Sequence, residues 1–136
     1  MIAVANPNLQ KDIYQSMNLR PLERKAVTQI KAYIDEHYSQ QITVDRLSKM
    51  SWQDDQVSFR SRRLHEAFAA IFLQTIHDYL IHVRMEKAKA LLSATDLSIK
   101  AVAISVGYKR ESSFGPAFKK YFGLSPSSYR YARVEE

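Results

Sequence analysis

The run from Ser98 to Arg130, SIKAVAISVGYKRESSFGPAFKKYFGLSPSSYR, constrains the fold more than any other part of the chain. The Ser98 hydroxyl can cap a helix, and Ile99, Val102, Ala103 and Val106 follow at the three-and-four spacing of one buried face. Gly107 ends that helix, because glycine takes the left-handed backbone conformation that a Cβ disfavours. Beyond it Tyr108, Phe114, Phe118, Tyr121 and Phe122 resume helical spacing, with Lys109, Arg110, Lys119 and Lys120 around them. A buried seam, a short glycine turn and a second helix with a free outward face make the layout of a helix-turn-helix, whose second helix can enter a major groove.

This segment resembles the DNA-binding domain of the AraC/XylS family of bacterial transcription regulators. The matching residues are Ser98-Ile99, Val102-Ala103, Val106-Gly107-Tyr108, Ser113-Phe114, Ala117-Phe118-Lys119-Lys120, Phe122-Gly123, Ser125-Pro126 and Tyr129-Arg130. The resemblance implies an all-α, homeodomain-like fold in which tandem helix-turn-helix units are joined by a long linking helix. It directs the search for a first unit upstream.

That unit is visible as an internal repeat. Leu64, Ala67, Phe68, Phe72, Thr75, Ile76 and Tyr79 stand fifty positions before Phe114, Ala117, Phe118, Phe122, Ser125, Pro126 and Tyr129. Thr43, Val44, Leu47 and Ser48 match Ser98, Ile99, Val102 and Ala103 at an offset of fifty-five, so the first unit carries five extra residues within Trp52 to Arg60. Trp52 stands where Gly107 stands, Leu73 stands where Gly123 stands, and Asp54 and Asp55 bring negative charge. The insertion either forms a surface loop or lengthens a helix end, leaving the later helix intact, or it repositions or disables that helix. Trp52, Val57 and Phe59 are its apolar residues and should seek cover on the first unit's core.

The domain reading is therefore a linker or arm over 1–20, a first unit over 21–80 with an insertion at about 52–60, a linking helix over 75–94 and a second unit over 95–136. The arm has a turn signal at Asn6-Pro7-Asn8 and one short helix around Gln10 to Met17. Pro21 suits the first turn of a helix ending near Ser39, with Val27, Ile30, Tyr33, Ile34 and Tyr38 on one face and Glu23, Lys25, Lys31 and Glu36 in solvent. Thr75-x-x-Asp78 opens the linking helix as a capping box would. Ile76, Tyr79, Leu80, Val83, the Lys87 stem, Ala88 and Leu91 are expected on one face.

Charge and composition agree with a nucleic-acid partner. The 136 residues carry 20 Lys plus Arg against 14 Asp plus Glu, a formal net charge of +6 that suits a polyanion. There is no cysteine, hence no disulfide or thiolate metal site. His37, His65, His77 and His82 lack the i, i+4 spacing of a helical metal pair, and no phosphate loop or nucleophile elbow is present. An enzyme is thus excluded, and no cofactor is expected. No apolar run approaches the roughly 20 residues of a spanning helix, and the first residues lack a signal-peptide pattern, so a bacterial cytoplasmic location is expected.

Helix-turn-helix geometry brings the start of each second helix to the bases. The base-reading candidates are Arg62, Arg63 and His65 in the first unit and Arg110, Glu111, Ser112 and Ser113 in the second. Arg110 could pair with guanine and Glu111 could accept from cytosine. The phosphate candidates are Arg60, Thr75, Arg84, Lys119, Lys120 and Ser125, the two hydroxyl residues because they open helices whose N–H groups can face an anion. For Arg84, bridging the two units through an acid or a carbonyl is the alternative. Ser113 is expected to cap the second reading helix, making Pro116 its third residue, where a missing N–H costs nothing; the repeat alignment also allows a start nearer Glu111, which would cost one hydrogen bond and bend the helix.

The resulting expectation is a sequence-specific regulator, an activator by the family's usual role, which places two reading helices in successive major grooves of double-stranded DNA and contacts RNA polymerase, not a membrane. A separate effector or dimerisation domain outside this chain is expected if the chain is part of a longer protein. The alternative is a protein-interaction adaptor on the same fold whose first unit no longer binds DNA.

Overall fold

The computed structural model describes residues 18–135, with side chains through residue 132, so the expected helix around Gln10 to Met17 lies outside the described residues. Seven helices follow in order among them: α1 Pro21–His37, α2 Val44–Ser48, α3 Ser61–Phe72, α4 Ile76–Ala94, α5 Ile99–Ser105, α6 Glu111–Phe122 and α7 Pro126–Glu135. The fold is all-α. Two compact units divide these residues, 18–37 with 42–80 and 38–41 with 81–135, and α4 contributes to both.

In the first unit Pro21 opens α1, and the Glu23 carboxylate accepts the Arg20 N–H at 3.0 Å, one half of a capping box. Ala26, Val27, Ile30 and Ile34 make the buried stripe of α1. Glu23 does not lie in solvent as its first-turn position suggests: it is 4% exposed, because the Arg63 guanidinium covers it with two hydrogen bonds of 3.0 Å. The Thr43 hydroxyl caps α2 by accepting the Arg46 N–H at 3.1 Å. Both α1 and α2 pack on α3, which buries Leu64, Ala67, Phe68 and Ala70.

The insertion before α3 is a tight hairpin. Trp52 and Val57 exchange backbone hydrogen bonds of 2.8 and 3.0 Å, and Gln56 N–H closes the tip on the Gln53 carbonyl at 3.1 Å. Gln53, Asp54 and Asp55 all have positive φ, which Asp tolerates better than most side chains. Trp52, Val57 and Phe59 are buried at 3–5% exposure, and the Trp52 indole N–H donates to the Leu47 carbonyl. The extra residues thus turn back on themselves before α3 begins.

In the second unit Ser98 caps α5 by accepting the Ala101 N–H at 3.0 Å, and Gly107, at φ +107°, makes the turn into α6. Met85, Ala88 and Leu92 of α4 form one core with Val102, Ala103, Val106, Phe114 and Phe118. Arg130 of α7 donates to the carbonyls of Leu92, Thr95 and Leu97, satisfying acceptors that the end of α4 leaves open.

Two local expectations need correction. The buried residues of α4 do not keep one face: Ile76, Tyr79, Leu80 and Val83 follow one register, Met85, Ala88 and Leu92 another, and Lys87 is exposed. The helix serves a different core in each half, which no single stripe can do. Nor does α6 start after Ser113. It starts at Glu111 with Arg110 as its cap, and Ser113 and Phe114 both donate to the Arg110 carbonyl at 3.2 Å, which places Pro116 inside the helix.

Candidate nucleic-acid interface

The two candidate reading helices are built to one plan. Each has 12 residues, each is preceded by an arginine in extended conformation with no side-chain cap bond, Arg60 or Arg110, and each ends on a left-handed residue, Leu73 or Gly123. The fifty-residue repeat therefore runs through both caps, and the insertion leaves it undisturbed. Leu73 holds φ +62° without being glycine, at a cost of about 1 kcal/mol.

On α6 the candidates Arg110, Glu111, Ser112 and Ser113 are all exposed, while Phe114 and Phe118 turn into the core. Lys119 and Lys120, also exposed, lie in the last turn, where positive charge favours the helix dipole as well as an approaching anion. On α3 Arg62 and His65 are exposed. Arg62 pairs with Glu66 at 2.9 Å, but its side chain is 92% accessible, so the pair is weak and open to competition.

Arg63 differs from its neighbours. Its Nε and Nη2 donate to the two oxygens of Glu23, which also receives the Arg20 Nε at 3.3 Å. The Arg63 hydrogen bond is the main reason the Glu23 carboxyl is held down at about 2, and burial opposes it. Glu23 in turn raises the Arg63 guanidinium. In the sequence, the acid at the third position of α1 reads as a solvated first-turn charge. Its partner forty residues later carries no signal of the pairing.

Of the phosphate candidates, Thr75 and Ser125 both cap helices, accepting the N–H of Asp78 at 3.0 Å and of Ser128 at 3.1 Å. Helix geometry leaves the N–H groups of Ile76 and His77 after Thr75, and that of Ser127 alone after Ser125 because Pro126 has none, without an intrahelical acceptor, and those can face an anion. Arg60 is exposed. Arg84 is half-buried and donates to the carbonyls of Tyr38 and Gln40 at 2.7 and 2.8 Å. Burial lowers its pKa, opposed by Tyr108.

Among the described residues no group of three or more His, Cys, Asp or Glu could hold a metal ion. None of their helices is long and apolar enough to cross a membrane.

A family model described as a helix-turn-helix domain matches residues 55–132. The melibiose operon regulatory protein of Escherichia coli is 31% identical over 104 residues, 76% of this chain and 32% of that protein. The chain thus spans about a third of that relative's length. Regulatory protein SoxS of Escherichia coli is 29% identical over 108 residues, 79% of this chain and 95% of that protein. The solved DNA-binding domain of AdpA, a global transcriptional factor in complex with a target DNA, superposes with a TM-score of 0.71 at 25% identity, covering 82% of this chain and 96% of that one.

Proposed function

The chain belongs to the AraC/XylS family of helix-turn-helix transcription regulators, and from that premise we propose that it lays α3 and α6 in successive major grooves of one DNA duplex and activates transcription. As a member it is a sequence-specific DNA-binding regulator and not an enzyme. The observation that carries the two-groove reading is the identical build of α3 and α6, with Arg60 and Arg110 exposed at matching caps. Base recognition is assigned to Arg62 and His65 on α3 and to Arg110, Glu111, Ser112 and Ser113 on α6. Arg63 joins them if its Glu23 partner yields. Phosphate contact is assigned to Arg60, Lys119, Lys120 and the helix starts at Thr75 and Ser125.

Contact with RNA polymerase and a bacterial cytoplasmic setting follow from the role of a regulator. Selection of bound sequences from random duplex DNA by the purified chain tests the reading. The expected product is a site of two unlike half-sites about 10 base pairs apart. Enrichment of a single half-site would limit reading to one unit, and no enrichment would favour the protein-interaction adaptor.

A further inference from the structure

We propose that Arg84 is a positioning residue for DNA recognition by the second unit, holding the turn between α5 and α6 and so the direction in which α6 presents its first residues. The proposal rests on the DNA-binding function stated above. Arg84 lies near the middle of α4, and its guanidinium meets four residues of its own unit. It donates to the Tyr38 and Gln40 carbonyls, and its central carbon lies 5.6 Å from the centroid of the Tyr108 ring. A Cβ on Gly107 would fall 2.9 Å from three atoms of that guanidinium, Cζ, Nε and Nη2. Glycine is therefore required here by its φ of +107°, and any Cβ would also have to displace the guanidinium from its place.

The path from this group to the reading surface is short. Tyr108 donates its N–H to the Ala103 carbonyl at 2.9 Å, and its ring packs edge-on against Phe114, a fully buried residue of α6, at 5.6 Å. Arg110 follows two residues after Tyr108 and caps α6. Fixing Gly107 and Tyr108 thus fixes where Arg110 to Ser113 point. An arginine suits this task because one planar group can donate at its edge and lie against a ring with its face. Lysine supplies the charge but neither the paired donors nor the plate.

A direct phosphate contact by Arg84 makes different predictions, and measurements on the full chain separate the two. Arg84→Ala and Arg84→Lys are compared with wild type for melting, for the salt dependence of binding and for preference between the selected site and one scrambled in the half read by α6. The expected result is that both variants fold and lose about tenfold of that preference, with lysine no better than alanine and the salt slope unchanged. A slope reduced by about 0.9 and restored by lysine would make Arg84 a phosphate contact and overturn the proposal. Lower melting with unchanged preference would overturn it equally, leaving packing alone. Should Arg84→Ala not fold, Tyr108→Leu decides, because it removes the ring beside the guanidinium and is expected to flatten the same half-site. A wild type with no sequence preference at all would sink the DNA-reading premise, and the proposal with it.

Discussion

At the scale of single residues, Glu23 shows how one charge can hold a candidate reading helix in place. A buried carboxylate is stable when its lone pairs are filled, and here Arg63 fills two positions while the Arg20 N–H fills a third. The folded pKa of about 2 lies below the ordinary carboxyl value of 4.5, so the pair's contribution is fully present above about pH 4.5 and is lost as pH falls toward about 2. With Arg63 partly open to water, the contribution is on the order of 2 to 3 kcal/mol. Glu23→Gln should remove it at neutral pH and flatten the stability profile between those two limits, as read by urea unfolding at a series of pH values. An acid limb identical to wild type would assign the pH dependence to other carboxylates. Sequence patterning could not reveal the pair, since a glutamate in a first turn ordinarily reads as a solvated charge favoured by the helix dipole.

At the scale of elements, local chemistry made most helix boundaries legible and tertiary choices hid the rest. Thr43, Thr75, Ser98 and Ser125 cap helices because a hydroxyl accepts a first-turn N–H wherever the chain turns into a helix. Gly107 and Gly123 take positive φ as helix ends demand, and the fifty-residue offset survives in the geometry of α3 and α6. One feature was hidden, the change of register in α4 between Val83 and Met85, and one was left open, the start of α6, which takes Arg110 as its cap instead of the better capping residue Ser113. The second choice leaves Pro116 as the sixth residue of α6, unable to donate to the Ser112 carbonyl. Gly115 before it eases the clash that a Cβ would make with the proline ring, and Ser112 is exposed, so water can reach the orphaned carbonyl. Pro116→Ala should therefore stabilise the second unit by about 1 to 2 kcal/mol, less than the roughly 3 kcal/mol of a helix interior, measured as a higher urea midpoint. No gain, or a loss, would mean that the exposed ring contributes packing or that its fixed φ suits the helix here.

At the scale of the whole molecule, the question is whether a duplicated architecture also means duplicated reading, and the insertion is where the repeats differ. Its apolar residues Trp52, Val57 and Phe59 are buried in the first unit, while Asp54 and Asp55 stand exposed at the tip. The exposed positions of the candidate interface were legible from helical spacing, but the effect of that acidic tip on an approaching duplex was not, because it depends on the path of the DNA. The tip can be neutralised without disturbing the hairpin: Asn-Gly suits two successive positive φ values better than Asp-Asp and removes two negative charges. The double variant Asp54→Asn with Asp55→Gly should keep the fold, bind somewhat more tightly through reduced repulsion of phosphate, and protect the same length of DNA as wild type. That length should cover two successive major grooves, with half-sites about 10 base pairs apart, because the hairpin closes before α3 begins and leaves Arg60, Arg62 and His65 exposed. Protection of one groove by the wild type, extended to two by the neutralised tip, would instead make the acidic hairpin an electrostatic block on the first unit.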